Sequence, residues 1–228
     1  MKVSFLIPVF NEAATVGEVL ALVDALALEK QLIVVDDGST DGTAEILDRW
    51  GADHENTVIV HKPNEGKGSA IRAAIPHIEG EIAIIQDADM EYDPAEVPNI
   101  IEPITRGVAD VVLGSRLSGG RPQRTYLFWH YVGNHFLSLL TNVLFNTTLS
   151  DIETGYKAFR AEVLRSLDLQ ADGFSIEPEI AGKVSKRKLR VYEIPIAYYG
   201  RTHAEGKSIT WRDGFAAMAM LLRVRLSG

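Results

Sequence analysis

The chain has 228 residues, with 23 lysines and arginines, 31 aspartates and glutamates, no cysteine and a formal net charge of −8. The lack of cysteine excludes disulfides, thiolate metal sites and a catalytic thiol, and the acidic balance argues against nucleic acid as a partner. The length and the 46% share of hydrophobic residues predict one globular domain, residues 1–228.

The distribution of charge along the chain is uneven. Residues 183–228 carry ten basic and three acidic residues, whereas residues 1–182 are strongly acidic. A basic segment of this kind binds an anionic ligand, faces anionic lipid or forms a solvated surface. Because the N-terminal apolar run is too short for a signal peptide and no run of about 20 residues is convincingly apolar, we expect a cytoplasmic protein.

Short apolar runs alternate with helical patterns in the first half, which predicts an α/β fold with a mostly parallel, Rossmann-like sheet flanked by helices. Predicted strands lie at 3–8, 32–35, 57–60, 82–86 and 110–113, and predicted helices at 11–28, about 42–50, 69–78 and 95–105. The second half is less regular. Its patterns predict helices at 124–146, 161–167, 177–186 and 211–226, and a strand at 189–196.

The turn after the first predicted strand excludes two common nucleotide-binding motifs. The segment from Pro8 to Glu12 stands where a dinucleotide-binding fold would have Gly-x-Gly-x-x-Gly. Gly68 follows Lys67 directly, where a Walker loop requires Ser or Thr. The chain is therefore predicted to be neither a Rossmann dehydrogenase nor a P-loop NTPase.

Carboxylates stand where the predicted strands end. Because the carboxyl ends of parallel strands open onto one crevice, these side chains should meet there, and their repulsion favours a shared cation. Oxygen-only ligands suit Mg²⁺ or Mn²⁺, and alternate side chains of an extended Asp87-Ala-Asp89-Met-Glu91 loop would point at one ion. The alternative is that Asp87 and Asp89 only cap helices and form turns. The residues at the strand ends are Glu12, Asp36, Asp37, Asp87, Asp89, Glu91 and Asp93.

Eight successive motifs, spanning about residues 3–226, resemble the family 2 inverting glycosyltransferases with the GT-A fold. The first four are Val3-Ser-Phe-Leu-Ile-Pro-Val-Phe-Asn-Glu12, Val34-Val-Asp-Asp-Gly-Ser-Thr-Asp41, Asn64-Glu-Gly-Lys-Gly68 and Asp87-Ala-Asp89. The other four are similar to the branch that contains dolichyl-phosphate mannosyltransferase and bacterial polyprenyl-phosphate hexosyltransferases. They are Gly114-Ser-Arg116, Asp151-Ile-Glu-Thr-Gly-Tyr-Lys157, Gly173-Phe-Ser-Ile-Glu177 and Tyr199-Gly-Arg-Thr-His-Ala-Glu-Gly-Lys207.

The resemblance implies metal-dependent transfer of a hexose from a nucleotide sugar, of the GDP-mannose or UDP-glucose type, to a polyprenyl or dolichyl phosphate. It implies a donor-binding half, about residues 1–115, and an acceptor-binding half, about 116–228. The implied metal ligands are Asp87, Asp89 and Glu91. The implied donor-binding residues are Pro8, Val9, Phe10, Glu12, Asp37, Lys67, Asp87 and Lys207.

The leaving diphosphate gains negative charge, which a metal and cationic side chains would stabilise. The candidate catalytic residues are Asp89, Arg116, Glu153, Glu177 and Arg201. A lipid phosphate acceptor is already anionic and needs arginines to orient it, whereas a hydroxyl acceptor, a saccharide or small molecule, needs a carboxylate base, for which Asp151 is a further candidate. Both acceptors remain open. Two other classes also remain: a nucleotidyltransferase, which would be expected to have a Gly-rich phosphate-binding loop after the first strand, and a binding module whose metal loop is only structural.

No charged residue lies between Arg124 and Asp151, and the polar residues of the helix predicted at 124–146 form one stripe. One interpretation is a core helix or a helix that forms a homodimer. The other is an element that lies on the cytoplasmic face of the membrane beside the lipid acceptor, as a peripheral contact. Its anchors would be Leu127, Phe128, Trp129, Tyr131 and Phe136.

Overall fold

The computed structural model describes residues 1–124, 128–200 and 211–227, without the side chains of Trp211 and Arg212. Short 3-10 turns at Ile75–His77 and Pro94–Glu96 adjoin two of the helices. In chain order, the strands and helices are β1 (Val3–Val9), α1 (Val16–Asp24), β2 (Lys30–Asp36), α2 (Thr43–Asp53), β3 (Thr57–His61), α3 (Lys67–Ala74), β4 (Ile82–Ile85), α4 (Val97–Thr105), β5 (Val111–Ser115), α5 (Phe128–Phe145), β6 (Lys157–Arg160), α6 (Ala161–Ser166), α7 (Ile176–Lys186), β7 (Val191–Pro195) and α8 (Trp211–Leu226).

The strands of the described chain form one seven-stranded sheet with the order β3-β2-β1-β4-β6-β5-β7. Strand β6 is antiparallel to both of its neighbours, and every other pair is parallel. The predicted mostly parallel α/β sheet is therefore confirmed. Strand β6 was not predicted, because its four residues begin and end with a cationic side chain and show no alternation of apolar and polar residues.

Apolar side chains alternate between the two faces of the sheet and build a core on each. Leu6 and Ile33 pack with α3 and with the helices α5 to α8 on one face. Phe5 and Val34 pack with α1, α2 and α4 on the other. Strands buried on both sides explain the near-continuous apolar runs in the sequence.

The helix predicted at 11–28 is shorter at both ends. Asn11 has a positive φ of 53°, so the chain cannot be helical there. The backbone amides of Asn11 and Glu12 donate hydrogen bonds to Ser39 Oγ (2.9 Å) and Thr43 Oγ1 (3.0 Å). Tertiary bonds to the next βα loop therefore replace the first predicted helical turn.

The topology brings several loops to one edge of the sheet. Strands β1, β2, β4, β5 and β7 all end at this edge, and β6 starts there because it runs in the opposite direction. The segments that follow these strands therefore meet the loop at 150–156. Of the helices within the described ranges, none has the length and apolar content needed to cross a bilayer.

Candidate active site

A pocket of 390 Å³ opens at this edge of the sheet. Arg201 and Lys207, like Leu127, lie outside the described residues. Asn64, Tyr92, Phe174 and Tyr198 also line the pocket and were not predicted, although Asn64 and Phe174 stand inside recognised motifs. Asp36, Asp93 and Asp151, which were expected in the crevice or as a base, are not among the lining residues. The predicted site residues that line the pocket are Pro8, Val9, Phe10, Glu12, Asp37, Lys67, Asp87, Asp89, Glu91, Arg116, Glu153 and Glu177.

Asp37, directly after β2, fastens the loop that leads into α3. Its carboxylate accepts hydrogen bonds from the amides of Glu65 (3.1 Å) and Gly66 (2.7 Å), and Lys62 Nζ lies 2.7 Å from Oδ1. Gly66 has a φ of 102°, which residues with a side chain rarely adopt. Asp37 therefore shapes this wall of the pocket, and its role in holding a nucleotide stays a prediction.

Lys67, the first residue of α3, places its ammonium group between two carboxylates. Nζ lies 2.7 Å from Oδ1 of Asp87 and 3.0 Å from Oε1 of Glu177. Glu177 also accepts a hydrogen bond from Lys157. Burial lowers the pKa of Lys67, but the two carboxylates outweigh it and hold this pKa well above its usual value, so the side chain is a cation at neutral pH.

Arg116, directly after β5, is held by a buried carboxylate. Its Nε and Nη2 donate to Asp151 at 2.7 and 2.8 Å, and Asn134 Nδ2 donates to the same carboxylate at 2.8 Å. Burial raises the pKa of Asp151, but Arg116 more than offsets this and the net pKa is below its usual value. Asp151 is therefore unsuited to the role of base and instead orients Arg116.

Glu177 is equally unsuited to act as a base. Burial raises its pKa, but Lys157 and Lys67 outweigh that and leave the pKa below the usual range of a glutamate. A carboxylate held ionised by two ammonium groups accepts a proton poorly. Glu177 also lies in the first turn of α7, where a helix N-terminus further stabilises an ionised carboxylate.

Glu153, unlike Asp151 and Glu177, is not held by a cationic partner that lowers its pKa below the usual range. Its Oε1 is buried and has no hydrogen-bond partner among the described residues. Burial, followed by repulsion from Glu177, raises the pKa of Glu153 to about 7. A carboxyl group with a pKa near neutrality can both accept and release a proton. Among the three carboxylates considered as bases, Glu153 is the one whose surroundings suit that role.

The raised pKa predicts a pH-dependent stability. The folded protein keeps Glu153 protonated up to about pH 7, whereas an unfolded glutamate ionises near 4.5, so its contribution is complete below 4.5 and is lost as the pH rises through 7. The free energy of unfolding of Glu153→Gln, taken relative to that of wild type, should therefore rise by on the order of 2 kcal/mol from pH 5 to pH 8. Urea denaturation at both pH values measures this, with the exposed Glu162→Gln as control. An equal difference at both pH values would contradict the raised pKa.

The acidic loop after β4 differs from its prediction in shape. Met90 has a φ of 60°, so the backbone turns between Asp89 and Glu91 instead of staying extended. Glu91 accepts a hydrogen bond from the Tyr198 hydroxyl (2.8 Å), and Asp87 faces Lys67. In the part of the chain that is described, no three His, Cys, Asp or Glu residues are arranged to hold a metal. The loop is therefore not extended as predicted, and the assignment of Asp87, Asp89 and Glu91 to one ion stays a prediction.

Tyr198 connects the arginine to the acidic loop. The Arg116 Cζ atom lies 5.0 Å from the centre of the Tyr198 ring, a distance typical of a cation–π contact. The hydroxyl of the same ring binds Glu91. A guanidinium, an aromatic ring and a carboxylate loop thus line one side of the pocket, an arrangement suited to an anionic ligand with a metal counter-ion.

Residues 4–168 match the family model described as Glycosyl transferase family 2. The chain belongs to this family. Its enzymatic class and its place among the family 2 transferases, expected from the motifs, are therefore confirmed. The match covers the pocket residues from Pro8 to Glu153 and ends before Glu177.

Curated relatives of this family 2 glycosyltransferase include proteins named for polyprenyl phosphates. Glycosyltransferase AglJ of Haloferax volcanii is 32% identical, over 93% of this chain and 68% of its own length. The undecaprenyl-phosphate mannosyltransferase of Micrococcus luteus is 29% identical, over 91% and 87%. The dolichol-phosphate mannosyltransferase of Pyrococcus furiosus is 30% identical over 91% of this chain, which spans only 59% of that protein.

A solved structure supports the predicted GT-A fold. Glucosyl-3-phosphoglycerate synthase from Mycobacterium tuberculosis, in complex with Mn²⁺, UDP-glucose and phosphoglyceric acid, superposes with a TM-score of 0.75. The match covers 98% of this chain and 79% of that one, at 21% identity. The family 2 transferase therefore has the GT-A fold.

Proposed function

We propose that this family 2 glycosyltransferase moves a hexose from a nucleotide sugar to a polyprenyl phosphate while in peripheral contact with a membrane. The observation that carries the proposal is an exposed apolar surface on α5, the helix whose Asn134 binds Asp151, the carboxylate partner of Arg116. We call this surface the apolar face of α5. It consists of Phe128, Trp129, Tyr131, Val132, Phe136, Leu139 and Val143, all of them exposed.

Helix α5 buries its polar stripe together with Leu137 and leaves other large apolar side chains exposed. Its polar side chains face inward: Asn134 binds Asp151, Ser138 Oγ accepts from the amide of Ile152 (3.3 Å), and Asn142 Nδ2 donates to the carbonyl of Leu149 (2.9 Å). On the opposite side, Trp129 is 78% exposed. Large apolar side chains left outside in a row mark an interaction surface.

A membrane is the occupant that we assign to this surface. A polyprenyl phosphate lies with its chain in the bilayer and its phosphate at the surface. Helix α5 connects a membrane surface to the pocket, because its Asn134 binds Asp151, the carboxylate that holds Arg116. We expect that guanidinium to bind the lipid phosphate. Helix α8, which packs against α5, adds an exposed Phe215. Its last turn carries Arg223 and Arg225, cations that suit anionic headgroups. The names of the relatives support the same acceptor class.

Mn²⁺ or Mg²⁺ fits the donor side of the pocket. Asp87, Asp89 and Glu91 supply carboxylate oxygens there, and these ions are usually held by one or two carboxylates plus substrate phosphates. When bound, the metal supplies positive charge that stabilises the leaving diphosphate. Arg116 adds a fixed cation on the acceptor side, which orients an anionic acceptor before the bond breaks.

A soluble hydroxyl acceptor is the second candidate, and the surroundings of Glu153 favour it. A hydroxyl must lose a proton on attack, and Glu153 is a pocket carboxyl with a pKa of about 7 and no hydrogen-bond partner at Oε1 among the described residues. A lipid phosphate needs no such base. The hydroxyl acceptor therefore requires Glu153 as a base, whereas the lipid phosphate acceptor does not.

The test is a screen of GDP-mannose and UDP-glucose with Mn²⁺, against polyprenyl phosphate in vesicles and against soluble saccharide and phosphoglycerate acceptors. The first proposal is supported if the wild type transfers the hexose to the lipid phosphate and Glu153→Gln keeps this activity. Transfer only to a hydroxyl acceptor, lost by about 10²- to 10⁴-fold in Glu153→Gln, supports the second. A protein that transfers from neither donor would contradict both.

Trp129→Ala is expected to weaken binding to anionic vesicles by roughly tenfold, because a buried indole contributes on the order of 1.5 to 3 kcal/mol of apolar transfer energy. Co-sedimentation with phosphatidylglycerol vesicles at low and high salt measures it. The matched control is Tyr192→Ala, an exposed aromatic on β7. Equal pelleting of Trp129→Ala and wild type would refute the membrane assignment, as would a wild-type dimer in solution that Trp129→Ala dissociates.

A further inference from the structure

Lys67 already supplies a cation at the site proposed for the metal. Its Nζ lies 2.7 Å from Oδ1 and 2.9 Å from Oδ2 of Asp87, so both oxygens of that carboxylate face one ammonium group. The two side chains are enclosed, with exposed fractions of 14% and 17%. A divalent ion cannot take the Asp87 oxygens in this geometry without meeting the positive charge of Lys67.

The Lys67–Asp87 ion pair packs closely against Gly155. A Cβ atom built at Gly155 would stand 2.2 Å from Asp87 Oδ2 and 3.1 Å from Lys67 Nζ. The ion pair therefore lies directly against the backbone of the loop at 150–156, and only a glycine leaves space for it. Lys67, in contrast, has a second carboxylate, Glu177, at 3.0 Å. The ammonium can release Asp87 and still keep an ionic partner.

We propose that Lys67 is an internal counter-cation that competes with the divalent metal for Asp87, so that the free enzyme binds metal weakly and takes it up together with the nucleotide diphosphate. This inference rests on the proposed function. The negative charge of the diphosphate offsets the repulsion between the metal and Lys67, which then keeps Glu177 as its partner. Lys67 is therefore a positioning residue that couples the binding of two ligands.

The test measures Mn²⁺ affinity directly, from the EPR signal of free Mn²⁺, with and without UDP or GDP. We expect wild type to bind Mn²⁺ at least about tenfold more tightly with a nucleotide than without one. Lys67→Gln should tighten binding of Mn²⁺ alone by about tenfold and reduce that coupling. The matched control is Lys183→Gln, which removes the same charge from a lysine paired with Glu179 outside this pocket.

A second variant changes metal affinity in the opposite direction. Glu177→Gln removes the alternative partner and leaves Lys67 on Asp87, so Mn²⁺ alone should bind more weakly than to wild type. This measurement remains decisive if Lys67→Gln does not fold. The inference is overturned if Lys67→Gln binds Mn²⁺ no more tightly than Lys183→Gln, or if Glu177→Gln binds it as tightly as wild type. Absence of UDP and GDP binding by wild type in the presence of Mn²⁺ would instead refute the proposed donor.

Discussion

Asp89→Ala is expected to abolish glycosyl transfer and leave the fold intact. Asp89 lines the pocket in the loop after β4 and belongs to neither hydrophobic core. Removing it takes away a proposed metal ligand, and with it the positive charge that stabilises the leaving diphosphate. Loss of one preorganised electrostatic group of this kind costs about 10²- to 10³-fold in rate. Transfer from a radiolabelled nucleotide sugar measures activity, and a thermal melt followed by circular dichroism measures folding.

The control for this prediction is Asp53→Ala, which removes an exposed carboxylate at the end of α2, outside the pocket. It should keep both activity and melting temperature. If Asp89→Ala turned over at the wild-type rate, the proposed metal role of Asp89 would fall. If it unfolded, the fold would depend on Asp89 in a way that its position outside both cores does not explain.

Asp151→Ala is expected to destabilise the protein by about 3 to 5 kcal/mol, because it leaves a buried guanidinium without its counter-charge. The Asp151 side chain has 0% exposure and that of Arg116 has 15%. The substitution also removes the acceptor of the Asn134 hydrogen bond, which fastens α5 to the pocket. Activity should fall as well, since Arg116 would no longer be oriented. Urea denaturation gives the loss of stability.

Two further variants separate the charge effect from simple damage to the site. The double variant Asp151→Ala with Arg116→Met should recover part of the stability, because it removes both members of the ion pair, and should stay inactive. Asp151→Asn should lie between wild type and Asp151→Ala, because it keeps the shape and one acceptor oxygen. A double variant as unstable as Asp151→Ala alone would show that the buried charge is not the cause.

Most of the pocket could be predicted because most of the motifs lie at the end of a strand. Phe10, Asp37 and Asp87 follow β1, β2 and β4, and parallel strands end at the same edge. The approach of Glu153 to this edge depends on β6, whose reversed direction places the loop before Lys157 there. That strand has no sequence pattern of its own, so only the resemblance to a family pointed to its loop.

The roles of the charged residues could not be predicted from local sequence. Arg116 and Asp151 are 35 residues apart, and Lys67 and Asp87 are 20 apart. Asp151, Glu153 and Glu177 were equivalent as carboxylates until their neighbours were known. A pKa depends on burial and on nearby charges, and both arise from the tertiary fold.

The sequence by itself determined the family, the α/β class and most residues of the pocket, because these follow from local motifs and from the periodicity of strands and helices. It also determined that the polar residues of α5 form one stripe, but not which side of the helix faces the protein. Only the tertiary structure decided that the stripe is inside and the apolar face outside, since Asp151, Ile152 and Leu149 supply its hydrogen-bond partners there. It likewise decided which carboxylates are paired with cations and which one, Glu153, is left with a pKa near neutrality.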